Sequence, residues 1–116
     1  MNKLKHSEIA QVRTDLLAEQ EGCCALCGQE IEPGKAVLDH DHRSGQIRGV
    51  LHRGCNALEG MITNSLPRNL ITPARLAAIF QNWTEYHENA RPMLHPTHKL
   101  SGTKTKKRKK PQKKSL

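Results

Sequence analysis

Aromatic side chains are nearly absent: one Phe, one Trp and one Tyr make up 3% of 116 residues. A small domain with so few large apolar groups is hard to stabilise by burial alone, so a further staple is expected. Long apolar runs are absent as well. The longest span only a few residues, where a membrane-spanning helix needs roughly 20, and this excludes a transmembrane role. No apolar h-region follows Met1 to His6, which is polar and leads into Ser7 and Glu8. Secretion is therefore not expected, and the protein is read as soluble and intracellular. Internal repeats are absent. At 13.0 kDa the chain has material for one small domain and little for a second.

Acid is missing from one end. Residues 1–98 hold 10 Lys/Arg and all 11 Asp/Glu, whereas residues 99–116 hold 9 Lys/Arg and no acid, so the tail carries the whole excess of a +8 chain. Its run through Lys104, Lys106, Lys107, Arg108, Lys109, Lys110, Lys113 and Lys114 has no apolar periodicity and repels itself, so a disordered tail is expected. Such a tail suits a polyanion, and Lys106 to Lys110 are its candidate nucleic-acid contacts. The chain thus divides into a folded part, 1–98, and a basic tail, 99–116.

Periodicity supplies a coarse order of elements. Ile9, Val12, Leu16 and Leu17 recur at helical spacing, which predicts a helix from about Ser7 to Gln20, capped by Ser7 and stopped near Gly22. Ala36-Val37-Leu38 and Ile47 to Leu51 read as two short strands, joined by the polar segment His40 to Gln46 with Ser44-Gly45 at its turn. Helical spacing returns from Gly54 to about Thr63 in Cys55, Leu58, Met61 and Ile62. After a linker containing Pro67, Thr72-Pro73 is an N-cap followed by Pro at the first helical position. A helix over about 73–90 follows, and its stripe Leu76, Ile79, Phe80, Trp83 and Tyr86 holds every aromatic residue of the chain. That stripe is a candidate core or homodimer surface.

The cysteines offer the missing staple. In a reducing compartment closely spaced cysteines read as metal ligands more readily than as disulfides. Cys24-x-x-Cys27 and His52-x-x-Cys55 are two matched pairs, and each can supply two corners of a zinc tetrahedron from one turn. Cys23 would pair with Cys27 across three residues, a spacing zinc also tolerates, but Cys24 matches the second pair better and Cys23 is read as a bystander. Four protein ligands close the coordination sphere, so the site reads as structural.

Asp39-His40-Asp41-His42 packs two carboxylates and two imidazoles into four consecutive positions. A carboxylate is a hard ligand for magnesium or manganese, and an imidazole near neutral pH can act as general base on water. Phosphodiester cleavage uses both roles. Asn56, near the start of a helix, offers a second oxygen ligand. Alternate residues of a strand share a face, so Asp39 and His40 point apart unless the chain twists or leaves the strand there.

The stretch Leu38-Asp39-His40-Asp41-His42 through Ile47-Arg48-Gly49-Val50-Leu51-His52 to Cys55-Asn56, preceded by Cys24-x-x-Cys27, resembles the phage recombination endonuclease VII family of HNH (His-Me finger) nucleases. The similarity covers about residues 21–62, with Ala57-Leu58-Glu59-Gly60 as its continuation, and reaches the 73–90 helix only in arrangement. It implies a small α+β fold: a zinc-stapled ββα-metal core with flanking N- and C-terminal helices. It also implies a metal-binding Asp39, a general-base His40, a metal-binding Asn56, a phosphate-steadying His42 and an acid of less certain role at Glu59. The third zinc ligand is typically cysteine in that family, and here His52 stands in its place. Junction-resolving members dimerise through an extended helical region, whereas this chain has only the 73–90 helix beyond its core. A phage origin, and so action in a host bacterial cytoplasm, is a further implication.

The expectation is therefore a magnesium- or manganese-dependent DNA endonuclease, with branched DNA among its candidate substrates. Arg43, Arg48 and Arg53 are candidate groove contacts for the nucleic acid. The alternative is a non-catalytic zinc module that only binds nucleic acid or a protein partner.

Overall fold

Helix α1, Ile9–Glu19, is preceded in the computed structural model by a single 3-10 turn at His6–Glu8; the structure describes residues 2–99. Ser7 lies inside that turn and does not cap the helix as its type suggested. The start is closed by Glu8, whose Oε1 accepts the backbone N–H of Lys5 at 2.8 Å. At the other end the Gly22 N–H donates to Leu17 O (2.8 Å) and the Glu21 N–H to Ala18 O (3.0 Å), the paired bonds of a Schellman stop. Gly22 has φ +75°, as a helix-ending glycine allows, but the left-handed turn begins one residue earlier, on Glu21 at φ +57°.

The segment from Cys23 to Ile31 folds back on itself. Cys23 and Glu30 form an isolated bridge, the Cys24 N–H donates to Gln29 O at 2.8 Å, and Gly28 turns the chain at φ +78°. A short turn at Pro33–Lys35 then leads into β1, Ala36–His40, which pairs antiparallel with β2, Ile47–His52. β1 runs two residues beyond its apolar triplet. The loop explains the extension: Asp41 N–H donates to Gln46 O and Gly45 N–H to Asp41 O, so the ladder continues down to the turn. The Asp41 carboxylate accepts the backbone N–H groups of Arg43 (2.7 Å) and Ser44 (3.0 Å). Those two bonds, Ser44 first, hold the Asp41 carboxyl below the usual carboxylate range.

Register carries the main irregularity. Asp39 pairs with Gly49 but His40 pairs with Ile47, which leaves Arg48 as an extra residue in a β-bulge. Helix α2, Arg53–Ser65, follows β2 without a loop. Leu17, Cys24, Ile31, Val50 and Leu51 form the buried core, with Leu16, Ala36, Leu38 and Cys55 packed around it. Two of these nine side chains are cysteines, the consequence of an aromatic-poor composition.

The chain divides into two compact units, one through Ser65 and one from Leu66. In the second, Thr72 Oγ1 accepts the N–H of Arg75 at 3.3 Å, and helix α3, Pro73–Glu88, starts on the expected cap and proline. It stops two residues short of 90, at an Asn89 cap. Phe80, Trp83 and Tyr86 are exposed on it, and the Trp83 and His87 rings lie 4.7 Å apart. The fold is thus a small α+β arrangement of three α-helices and one two-stranded sheet among the described residues. No helix among them is long and apolar enough to cross a membrane. The basic run from Lys106 to Lys110, expected to be disordered, lies outside the described residues.

Candidate functional site

Two groups of side chains gather on the hairpin. The first is built by the folded-back segment after α1, which places Cys24 and Cys27 against the end of β2, where His52 stands, and the first turn of α2, where Cys55 stands. One ligand atom from each of the four lies within 4.8 Å of the others. The sulfur of Cys27 is 3.3 Å from His52 Nδ1, and that of Cys55 is 3.8 Å from it. A zinc tetrahedron with bonds of about 2.3 Å to sulfur has edges of about 3.8 Å, so spacing and donor type both fit zinc.

The orientation of His52 supports the same assignment. Its Nε2 lies 2.8 Å from the carbonyl of Glu30, so that nitrogen carries the proton and donates, and Nδ1 turns a lone pair into the cluster. The thiols divide sharply. Burial opposes ionisation of Cys24, but donors on the Cys27, His52 and Leu26 backbones outweigh it and bring the thiol down to about 6. Burial pushes Cys55 up to about 12, reinforced by the neighbouring Cys27 and Cys24 sulfurs. Three sulfurs this close cannot all carry charge without a cation among them. Cys23 stays out of the group; its Sγ faces the Glu21 carbonyl at 3.6 Å.

The second group lies along the bulge. Asp39 is only 6% exposed, and its carboxylate accepts both Arg48 Nε (to Oδ2, 2.9 Å) and Arg48 Nη2 (to Oδ1, 3.2 Å). The same Nη2 donates to Glu59 Oε1 at 2.6 Å, and Thr63 Oγ1 donates to Glu59 Oε2 at 2.7 Å. The Asp39 bond leads the causes that raise the Arg48 guanidinium above its ordinary value, with Glu59 adding to them. Asp39, Arg48 and Glu59 line a recess of about 290 Å³ together with Ala25, Leu26, Gly49 and Leu51.

His40 and His42 are neighbours of this recess in sequence but do not line it; His40 and His42 are exposed, and their rings sit 4.8 Å apart, tilted by 36°. Asn56 is half-buried in the first turns of α2, one helical step before Glu59 and so on the same side of that helix. Arg43 and Arg53 are exposed. Arg48, read from sequence as a groove contact, is joined to two carboxylates. Asp39 fits a hard divalent cation by donor chemistry: it is a nearly buried carboxylate that already requires a positive partner, for which the guanidinium stands in.

Two interactions of this region escaped the sequence reading. The Arg48 pairing left no signal in the sequence, since it depends on the bulge that leaves Arg48 over between the Asp39–Gly49 and His40–Ile47 pairs. Gln20 had none either. Its Nε2 donates to Cys23 O (2.7 Å) and Val50 O (2.9 Å) while its Oε1 accepts the Val50 N–H (2.9 Å), tying the end of α1 to both the cysteine segment and β2. A family model described as recombination endonuclease VII matches residues 2–88, a span that contains both groups and all of α3.

Proposed function

Because the chain belongs to the recombination endonuclease VII family, and is by that membership a nuclease, a hydrolase of phosphodiester bonds acting on DNA, we propose that it is a divalent-metal-dependent DNA endonuclease of the HNH type. The observation that carries this reading is the nearly buried Asp39 carboxylate near the end of β1, one residue before an exposed imidazole and in one recess with Glu59 of α2. Asp39 and Asn56 would hold magnesium or manganese, which when bound supplies positive charge for the phosphate and the leaving oxygen. His40, exposed to solvent, takes the proton from the attacking water. His42, whose ring lies beside that of His40, steadies the phosphate, and Glu59 sets the position of Arg48. The four-ligand cluster holds a structural zinc that keeps the hairpin and α2 in place.

DNA is the substrate class, branched DNA included. A homodimer through the exposed α3 stripe would present two such sites, and the basic tail would add phosphate contacts that position without reading bases. The test is cleavage of supercoiled, linear and four-way-junction DNA with magnesium or manganese, comparing the intact protein with zinc-loaded His40→Ala. The expected result is cutting by the intact protein, and a fall of about 10²–10⁴-fold in the variant with binding retained. Equal DNA binding with no cutting by either protein would favour a non-catalytic zinc module.

A further inference from the structure

We propose that Arg48 is the resident counter-cation of Asp39, holding that carboxylate in place before a divalent cation arrives, and that guanidinium and cation compete for it. The inference rests on the reading of Asp39 as a cation ligand. Both Asp39 oxygens already accept hydrogen bonds, at 2.9 and 3.2 Å, from one guanidinium. A magnesium ion bonds carboxylate oxygen at about 2.0–2.1 Å, and at that range a guanidinium on the same oxygens repels it. The carboxylate is therefore not simply open to a cation.

Three features allow Arg48 to yield. It is the bulge residue, left over between the Asp39–Gly49 and His40–Ile47 pairs, so its side chain can move without breaking a ladder pair. Its Nη2 is held independently by Glu59 at 2.6 Å, and Glu59 is itself fixed by the Thr63 hydroxyl at 2.7 Å, so the guanidinium keeps an anchor on α2 after leaving Asp39. The charges favour the exchange. Two carboxylates share one guanidinium, a net charge of −1 in the recess; with Arg48 kept on Glu59 that pair is neutral, and the Asp39 charge is left for the ion.

The experiment is manganese binding to the zinc-loaded full-length chain without DNA, read by the electron paramagnetic resonance of the free ion, for the intact protein, Arg48→Gln and Asp39→Asn. Arg48→Gln should bind manganese about tenfold or more tightly, one opposite charge at this range being worth on the order of one to three decades. Asp39→Asn should lose the binding. Equal or weaker binding by Arg48→Gln, at unchanged zinc content and circular dichroism, overturns the competition and leaves Asp39 standing as a ligand. Absence of binding in both the intact protein and Arg48→Gln, or binding that survives Asp39→Asn, overturns the ligand reading and the competition with it. Should Arg48→Gln fail to fold, the intact protein decides. Its Arg48 Nε–H nuclear magnetic resonance signal should shift as magnesium is added, with the midpoint that calorimetry gives for magnesium binding, and an unmoved signal while magnesium binds overturns the proposal.

Discussion

Gln20 and Val50, thirty residues apart, are joined by a reciprocal pair of hydrogen bonds, the side-chain amide of one matching the backbone amide of the other at 2.9 Å in both directions. Val50 is fully buried, so its N–H has no water to turn to. Gln20→Ala should cost about 1–3 kcal/mol, the usual penalty for a buried donor left alone. Gln20→Glu should be costly as well, because a carboxylate can accept from Val50 but cannot donate to Val50 O or Cys23 O. Thermal unfolding of the zinc-loaded variants reads both values, and a cost well below that range would show that water replaces the amide.

Zinc content separates the cysteines. Cys24→Ser and Cys55→Ser should each lose bound zinc and much of the fold with it, since the core is small and the metal supplies stability that apolar burial does not. Cys23→Ser, altering a sulfur outside the cluster, should bind zinc as the intact protein does. Metal analysis by atomic absorption after dialysis checks the contrast.

Acid should release that zinc, and the sign follows from Cys24. Its folded-state value, about 6, lies below its ordinary 9.0, so its contribution to stability is full above 9.0 and is lost as pH falls through about 6. His52 is raised mainly by its bond to the Glu30 carbonyl, a shift of opposite sign for the metal-free fold, but its protonation competes with the metal and so adds to the release. Competition against a chromogenic chelator should show retention near pH 8 and steep release at about pH 6 and below. A flat profile would contradict this account of the cluster.

The stripe on α3 predicts an oligomer. Phe80 and Trp83 are each more than half exposed, an unusual cost for a chain with three aromatic residues. Sedimentation of the intact protein, with and without four-way-junction DNA, should give twice the chain mass, and Phe80→Glu with Trp83→Glu should give the single mass. A strict monomer in both states would remove the dimer from the functional reading.

Salt tests the tail. Removing residues 99–116 deletes nine positive charges and no negative ones. The slope of log affinity against log salt should flatten by about 0.9 for each phosphate that the tail no longer neutralises, with little change in which DNA is preferred. An unchanged slope would exclude the tail from the interface.

Features that act within a turn were legible along the chain. Two matched two-residue spacings identified Cys24, Cys27, His52 and Cys55 because a tight turn can present two ligands to one metal wherever it sits in a fold. Thr72-Pro73 marked the start of α3 for a similarly short-range reason: a hydroxyl cap and a fixed φ act within one turn. The hairpin was legible in its apolar runs and its Ser44-Gly45 turn, but its register was not. That a bulge leaves Arg48 unpaired and sends it onto Asp39 and Glu59 emerged with the folded molecule, because a one-residue shift between strands depends on how both pack against the core. The same holds for Gln20, whose amide found Val50 only once α1 had docked beside β2. Spacing along the chain suffices for groups that act within a turn, whereas pairing between distant strands and helices is settled by packing.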